Sequence, residues 1–425
     1  MSVAAQSLME NVTYEDLYRR WEGGNWSAYD IDFSEDRNGW QALSDMQRRS
    51  AMWIYSMFFY GEDRVTDTLA PFITAAPTEE QAYFLATQQV DEARHAIFFH
   101  RFCKEVIGVG GESLQATLSS TLSQLNWGYR GVFDRLDRMA EELRKDRSLP
   151  KYAQAITLYH LIVEGSLAQP GQHFIEDFFA AEDTMPGFSG GMANVSRDEQ
   201  RHIGFGVKVL SELLAESEEC KAAVVELLRE TLPYGVAVFT PPNMDREYTE
   251  CYGFSLEDIF AFGLKLIRQR WRTIGFPTEE MPPGVFPFDP EMPEEEVAKR
   301  QVKLLMAGIV GQPGGRPPES SPELQRLYFD VIARAADPSA ANGSPLVYQW
   351  RFSDADPWHL TIDNGSTRAE PGEAPNPDLT LEASWADFIA TGKPDANPLK
   401  MMLQRKIRPR GSIRELARLR KVFPS

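Results

Sequence analysis

Two helical stretches of the sequence carry the same arrangement of acids and histidine. One reads Asp-Glu-Ala-Arg-His and ends at His95, and the other reads Asp-Glu-Gln-Arg-His and ends at His202. In each stretch a glutamate, Glu92 or Glu199, precedes the histidine by three residues. On a helix this spacing places both side chains on one face, one turn apart, so each pair can bind a single metal ion.

Two further acids lie in apolar stretches of other helical segments. Glu62 precedes the first pair, and Glu164 lies between the two pairs. The order Glu, Glu-x-x-His, Glu, Glu-x-x-His is the ligand set of ferritin-like di-metal carboxylate bundles. Four buried carboxylates would take up protons unless cations compensate them, and two divalent metal ions supply four positive charges. Imidazole and carboxylate ligands without thiolates favour iron and manganese over zinc.

A solvated helix face is the ordinary explanation of a single Glu-x-x-His. Two copies on separate helices, alternating with two acids in apolar surroundings, favour the metal site instead. For Glu62 the neighbouring Asp63 is a competing candidate. The helical phase favours Glu62, because Phe58, Phe59 and Val65 lie on or near its face.

The remaining sequence predicts the elements that position these residues. Apolar residues recur at spacings of three and four from about residue 41 to 275, and this pattern predicts long helices. The predicted helices span residues 44–70, 78–107, 111–144, 153–179, 294–309 and 322–336. Predicted strands follow at residues 346–352, 358–362 and 379–381, before a mostly helical tail at 399–422.

We therefore predict a mainly α protein, with a ferritin-like di-metal helical bundle followed by a small α+β domain. The Pro- and Gly-rich run between them has no apolar anchor and is typical of a linker. The predicted boundaries are residues 1–311 for the bundle, 312–321 for the linker and 322–425 for the second domain.

The bundle resembles the ribonucleotide reductase small-subunit superfamily. Trp26 precedes Glu62 at the distance typical of that superfamily's buried tryptophan, and Asp198 stands where its carboxylate partner of a histidine ligand sits. Phe99 occupies the place of the radical tyrosine, and the first ligand is Glu62 where radical-generating subunits usually have aspartate. Both departures resemble the ligand-binding oxidase branch.

That branch has a valine three residues after its first ligand and a tyrosine five residues before its third carboxylate. This sequence has Val65 and Tyr159 at these positions. The resemblance implies an ether cross-link between them, formed after oxygen activation at the metals. It also implies a manganese–iron centre or two iron ions, a bound long-chain fatty acid, bridging roles for Glu92 and Glu199, and a homodimer. The electron donor is not identified.

The C-terminal region resembles a sterol-carrier-protein domain, which encloses an apolar tunnel for lipids. The matching stretches are Trp-His-Leu-Thr-Ile at 358–362, Pro-Asp-Leu-Thr-Leu-Glu at 377–382 and Trp-Ala-Asp-Phe at 385–388. A small accessory or dimerisation module is the alternative. The basic tail indicates either a solvated helix face or contact with an anionic head group.

Composition limits the compartment and the partners. The 425 residues carry 44 basic and 62 acidic side chains, a net charge of −18. Such acidity argues against nucleic acid and against attraction to anionic membranes. The three cysteines, Cys103, Cys220 and Cys251, are scattered and exclude a disulfide framework. Without a visible secretory signal or integral membrane segment, a cytoplasmic protein is expected.

The sequence thus predicts an oxygen-activating di-metal oxidase that acts on a fatty-acid-like ligand. A lipid-binding or transfer protein with a structural metal site stays open as an alternative. A ribonucleotide reductase small subunit and an acyl desaturase are the other two, although Phe99 disfavours the first of these.

Overall fold

The computed structural model describes residues 12–111, 113–311, 316–341, 343–394 and 396–423. The first four residues of the predicted linker, 312–315, lie outside these ranges. The chain divides into two compact units, residues 1–227 with 241–277 and residues 228–240 with 278–425. This division assigns residues 278–311 to the second unit, whereas the sequence analysis assigns them to the bundle. The predicted domain boundary therefore stays a prediction.

The first unit is built from α-helices, π-helical segments and short 3-10 helices. Its α-helices are α1 Tyr14–Gly23, α2 Asp36–Ala42, α3 Asp45–Ala75, α4 Glu79–Phe102, α5 Leu114–Thr121, α6 Trp127–Leu143, α7 Leu149–Ile156, α8 Gln169–Glu182, α9 Pro186–Glu216, α10 Glu218–Ala237, α11 Glu247–Glu250 and α12 Leu256–Ile274. The last part of α10 belongs to the second unit. Two π-helical segments, Cys103–Ile107 and Thr157–Ala168, follow α4 and α7.

Side-chain caps explain where several of these helices begin. The hydroxyl groups of Thr13, Ser44 and Ser255 each accept a backbone N–H of the first turn, and each helix returns a second bond in a capping box. The predicted single helix at 111–144 is two helices, because Asn126 caps a new start by accepting the N–H of Tyr129. Local capping thus overrides a continuous apolar pattern.

Aromatic side chains form much of the core beside the bundle's acids. Phe59, Phe98, Phe99 and Phe102 are fully buried, and they cluster with Phe188 from α9. Rings in this cluster meet mostly edge-on or tilted, which is the favourable geometry for aromatic pairs. Among the described residues, every helix is too short or too polar to cross a membrane.

The second unit combines short helices with one five-stranded sheet. Its remaining helices are α13 Glu294–Met306, α14 Pro322–Ala335, α15 Trp385–Thr391, α16 Pro398–Leu403 and α17 Ile413–Val422, and its strands are β1 Leu346–Phe352, β2 Trp358–Asp363, β3 Ser366–Pro371, β4 Leu379–Ala383 and β5 Ile407–Gly411. The strand order is β3-β2-β1-β4-β5. Strands β1 and β4 run parallel, and all other neighbours are antiparallel.

One tight turn and one aromatic stack organise this sheet. Asn364 and Gly365 have φ of 47° and 78° and connect β2 to β3, as expected for a tight hairpin. The ring of Phe329 on α14 stacks on Trp358 at 4.6 Å and on Phe388 at 5.6 Å. The buried face of the sheet is therefore covered by aromatic rings.

The predicted helical tail at 399–422 is wrong in its middle. Residues Ile407–Gly411 form β5, which pairs with β4 from Ile407 opposite Ala383 to Gly411 opposite Leu379. Only Ile407 of this strand is buried, so alternating hydrophobicity cannot reveal it. An edge strand is defined here by its hydrogen-bonding partner.

Candidate metal centre

Four helical segments of the first unit carry the six predicted ligands. Glu62 lies on α3, the first Glu-x-x-His pair on α4, Glu164 on the second π-helical segment and the second pair on α9. All six residues are at most 7% exposed. Ionisable groups are costly to bury without compensation, so this concentration indicates a functional site.

The six side chains converge into two overlapping groups. Within each group the ligand atoms all lie within 4.8 Å of one another: Glu62, Glu92, His95 and Glu199 form the His95 group, and Glu92, Glu164, Glu199 and His202 form the His202 group. Glu92 and Glu199 belong to both groups. The sequence repeat therefore folds into a paired site with two shared carboxylates at its centre.

Each histidine directs the same ring nitrogen at the carboxylates. Nδ1 of His95 lies 3.3 Å from Oε2 of Glu62. Nδ1 of His202 lies 3.2 Å from Oε1 of Glu92 and 3.4 Å from Oε1 of Glu164. The two imidazoles thus face the cluster in equivalent ways.

An aspartate holds the far nitrogen of each imidazole. Asp198 lies 3.3 Å from Nε2 of His95 and also accepts a 2.8 Å hydrogen bond from the indole N–H of Trp26. Asp91 lies 3.2 Å from Nε2 of His202. It accepts a 2.9 Å bond from the indole of Trp21. Each aspartate fixes the tautomer that leaves Nδ1 free to bind a metal.

Two arginines connect these aspartates. Arg201 donates to Asp198 at 3.0 Å and also bonds to Asp91. Arg94 donates to Asp91 at 2.9 Å and lies 3.7 Å from Asp198. Burial raises the pKa of Asp198, but the hydrogen bonds of His95 and Trp26 and the positive charge of Arg201 outweigh it and hold this pKa well below its usual range. A charged frame therefore surrounds both histidines.

A glutamine anchors the carboxylate of Glu164. Gln88 Nε2 donates to Glu164 Oε1 at 2.7 Å, and Gln88 Oε1 lies 3.0 Å from Nε2 of His160. Burial lowers the pKa of His160 to about 3, so this ring is neutral and donates to the glutamine. His160 is thereby part of the frame of the site, although sequence reasoning favoured no role for it.

Glu164 lies in a π-helical stretch, a conformation that is rare and frequent at functional sites. Arg270 on α12 contacts this stretch by donating to the carbonyl of Gly165 and to the side chain of Gln169. A Cβ at Gly165 would lie only 3.0 Å from Nη1 of Arg270, so the glycine leaves the room that the guanidinium occupies.

The pKa values of the cluster's own side chains indicate a surplus of negative charge. Burial is the largest influence, and it raises the pKa of Glu62 to about 8 and that of Glu164 to about 7. Burial and the neighbouring carboxylates raise the pKa of Glu199 well above its ordinary value. Burial disfavours the charged imidazoles, but the surrounding carboxylates outweigh it and hold the pKa values of His95 and His202 well above their ordinary range.

Two further observations indicate that the cluster is suited to bind divalent metal ions. Oε2 of Glu164, Oε2 of Glu199 and Nδ1 of His202 are buried and have no hydrogen-bond partner within the described structure. Buried polar atoms are rarely left without partners, and all three are potential metal ligands. No cysteine belongs to either group among the described residues, and oxygen and imidazole donors suit iron and manganese.

Tyr159 contacts the cluster directly. Its hydroxyl donates a 2.7 Å hydrogen bond to Oε1 of Glu92, and its ring meets Phe72 edge-on at 5.9 Å. Val65 is buried on the same helix as Phe72 and lies seven residues before it, so both occupy one face of α3. Burial raises the pKa of Tyr159 well above its ordinary value, so the phenol keeps its proton.

Phe99 lies in the aromatic core, one turn beyond His95. Its ring is parallel to that of Phe58, with the centroids 5.8 Å apart, and it is fully buried. A phenylalanine has no hydroxyl group that could be oxidised to a tyrosyl radical. The residue therefore contributes packing at this position.

Sequence reasoning missed six members of the frame: Trp21, His160, Gln88, Asp91, Arg94 and Arg201. The repeated Asp-Glu-x-Arg-His carries the signal for the last three, because aspartate and arginine recur at equal distances from the two histidines. Gln88 precedes Glu92 by four residues and so shares its helix face. Trp21 gave no comparable signal.

Two families match the chain. The model of the ribonucleotide reductase small chain family matches residues 8–237, more than half of the chain. The helical bundle and its buried carboxylate–histidine cluster define a di-metal carboxylate protein of the ferritin-like class, and the chain belongs to the ribonucleotide reductase small chain family. The model of the SCP-2 sterol transfer family matches residues 330–424. The second domain is thus of the sterol-carrier type.

Solved structures of R2-like ligand-binding oxidases resemble the chain. One is a variant with an anaerobically reconstituted Mn/Fe cofactor; it is 25% identical, has a TM-score of 0.54, and the match covers 62% of this chain and 93% of that one. Another, from Sulfolobus acidocaldarius, is 25% identical with a TM-score of 0.53, and the match covers 68% of this chain and 94% of that one. These likenesses support a di-metal oxidoreductase.

Proposed function

We propose that the protein is an oxygen-activating di-metal oxidase that binds a fatty-acid-like ligand and oxidises a C–H bond by two electrons. The observation that carries this proposal is the paired, buried carboxylate–histidine cluster with a phenol hydrogen-bonded to one of its shared acids. The similarity to Mn/Fe ligand-binding oxidases supports the same conclusion.

The His95 group and the His202 group would each hold one metal ion, either manganese with iron or two irons. Glu92 and Glu199 would help to hold both ions, since both residues belong to each group. When bound, the metals supply the electrons that activate oxygen. Asp198 and Asp91 keep the protons on the outer nitrogens of the histidines, so that Nδ1 of each ring stays available as a ligand.

Tyr159 and Val65 are the proposed site of self-modification. An ether bond between the tyrosine oxygen and the valine Cβ would form as one O–H and one C–H bond break. Two protons and two electrons leave, with oxygen as the oxidant. Glu92 accepts the hydrogen bond of the phenol at 2.7 Å and is therefore placed to receive its proton.

The second domain extends the proposal to lipids. Sterol-carrier domains bind lipids, and the buried face of this one is apolar and aromatic. A carrier tethered to an oxidase raises the effective concentration of ligand near the metal centre. We propose domain boundaries at residues 1–311 and 322–425, with residues 312–321 as the linker.

Peptide mass mapping of the full chain tests the oxidase. The protein is loaded with manganese and iron without oxygen and then exposed to air. We expect the peptides carrying Val65 and Tyr159 to become joined with the loss of two hydrogens, and Tyr159→Phe to abolish the joined species. Separate peptides in a fully metal-loaded, air-exposed sample would contradict the proposed reaction.

A lipid-transfer protein with a structural metal site is the second candidate, because residues 330–424 match a sterol transfer family. Oxygen consumption distinguishes the two. An oxidase consumes oxygen in proportion to its metal content, whereas a carrier binds a fluorescent fatty acid without consuming oxygen.

A further inference from the structure

Residues 397–414 of the second unit, here called the 397–414 segment, carry a net positive charge, whereas the whole chain is acidic. The segment comprises α16, the turn after it, β5 and the start of α17. The whole chain has a net charge of −18, but this segment contains no acid. Its six basic residues are Lys400, Arg405, Lys406, Arg408, Arg410 and Arg414.

Large apolar side chains project from the same segment into solvent. Leu403 is 86% exposed, Ile413 is 85% exposed and Leu399 is 61% exposed. Among the described residues no other large apolar side chain is as exposed as Leu403 or Ile413. Exposed apolar groups of this size cost free energy in water, and grouped ones indicate a surface that contacts something else.

The helix geometry explains why these side chains point outwards. On α16, Met401 and Met402 pack against the core of the unit, whereas Leu399 and Leu403 lie four residues apart on the other face. Helix α16 therefore has one apolar face that packs against the core and a second apolar face that has no partner in the described structure.

Most of the cations are also uncompensated. Lys406 lies 3.9 Å from Asp387, and Arg410 lies 2.9 Å from Glu382. Within the described ranges, no carboxylate lies within 4.0 Å of the other four basic groups of the segment, which are Lys400, Arg405, Arg408 and Arg414. Arg405 has a φ of 59°, a left-handed conformation that favours glycine, so a long cation stands where a small residue would be easier to accommodate.

We propose that the 397–414 segment docks the protein on an anionic lipid bilayer. Exposed leucine and isoleucine side chains insert among acyl chains, while surrounding arginine and lysine groups bind the anionic head groups. Positive charges in a chain that is acidic elsewhere orient this surface towards the membrane. Docking would bring the sterol-carrier domain to the place where lipids are found, and it does not depend on the metal centre.

Flotation of the full-length protein with lipid vesicles tests the proposal. We expect binding to vesicles of phosphatidylcholine with phosphatidylserine and little binding to phosphatidylcholine alone. Each cation near an anionic surface strengthens association about fivefold. The triple variant Arg405→Gln, Arg408→Gln, Arg414→Gln should therefore weaken binding about 100-fold.

The apolar contribution is tested separately. Leu403→Ser with Ile413→Ser keeps all charges and should weaken binding at least about tenfold, because two buried apolar side chains are lost. A matched control neutralises Arg144, Lys145 and Arg147, which are exposed cations of the first unit, near Leu149. This control variant should bind anionic vesicles as well as the wild-type protein does.

Several results would overturn the proposal. One is failure of the wild-type protein to float with anionic vesicles at low ionic strength. Another is a control variant that loses as much binding as the triple variant. Equal binding by both segment variants and the wild type would also reject it. If inorganic pyrophosphate bound to the wild type but not to the triple variant, and vesicles did not bind, the cations would serve a soluble phosphate compound instead.

Discussion

The His95 group and the His202 group share one sequence repeat but hold their outer carboxylates differently. Among the described residues, the carboxylate of Glu62 hydrogen-bonds only within the cluster, and it lies on a regular α-helix. Glu164 lies in a π-helical stretch and is anchored by Gln88. The histidines are therefore matched, whereas one outer carboxylate is anchored by a residue outside the cluster and the other is held only by members of the cluster.

The shared carboxylates should matter most in this comparison. Glu199→Ala removes a ligand from both groups, and we expect it to weaken binding of both metals by more than about 100-fold. This exceeds the effect of removing a residue that only hydrogen-bonds to a ligand. Glu62→Ala removes a ligand from the His95 group alone and should reduce the metal content by about half. Metal analysis by mass spectrometry measures both effects, with Asp63→Ala as the control. Equal losses in the two glutamate variants would contradict the shared role.

The aspartates behind the histidines should have the next largest effect. Asp91→Asn and Asp198→Asn should each weaken metal binding by about 10–100-fold, because the imidazole loses its charged partner. Asp91→Asn should cost more, since Asp91 contacts both Arg94 and Arg201 more closely than Asp198 does. Metal titration measures the order. The buried Asp36, which caps α9, provides the matched Asp36→Asn control.

Removal of Gln88, which anchors Glu164, should have a smaller effect on metal affinity, and it should affect only the His202 group. Gln88→Leu leaves Glu164 and His160 without their partner, and an unpaired buried group costs about 1–3 kcal/mol. We expect about tenfold weaker binding of the metal in the His202 group, with the other metal retained. Gln89→Leu is the control, because Gln89 bonds to the carbonyl of Thr66 and not to the cluster. Loss of both metals in Gln88→Leu would show that the two halves are not separable.

The tryptophans should have the smallest effect. Trp21→Phe and Trp26→Phe each remove one hydrogen bond to a buried aspartate, which keeps its contacts with an arginine and a histidine. Metal affinity should fall only a few-fold, and by similar factors in the two variants. Trp358→Phe in the second unit loses its bond to Gln325 and should leave metal affinity unchanged. A tenfold difference in metal affinity between the two variants would mean that the two tryptophan–aspartate pairs have different roles.

The sequence predicts the centre of the site better than its frame. Glu92, His95, Glu199 and His202 follow from a three-residue spacing, which is a property of a single helix. Gln88 and Glu164 lie on different helical segments and are 76 residues apart in sequence, so no local sequence pattern predicts their hydrogen bond. The π-helical stretch likewise arises from a chain whose apolar spacing is typical of an ordinary helix.

The fold shows the same limit. Strands β1, β2 and β4 are predicted because most of their buried residues are large and apolar. Strand β3 buries only Ala369, and β5 is basic and contains Pro409, so neither has a strand pattern of its own. Both are edge strands, and hydrogen bonds to a neighbour, rather than side-chain pattern, determine them.

Anomalous X-ray diffraction from crystals of the manganese- and iron-loaded chain tests the central claim most directly. Data recorded at both metal absorption edges locate each metal independently. The account predicts two peaks, one inside the His95 group and one inside the His202 group, with Glu92 and Glu199 contacting both. A single peak, or metals bound outside these two groups, would contradict it.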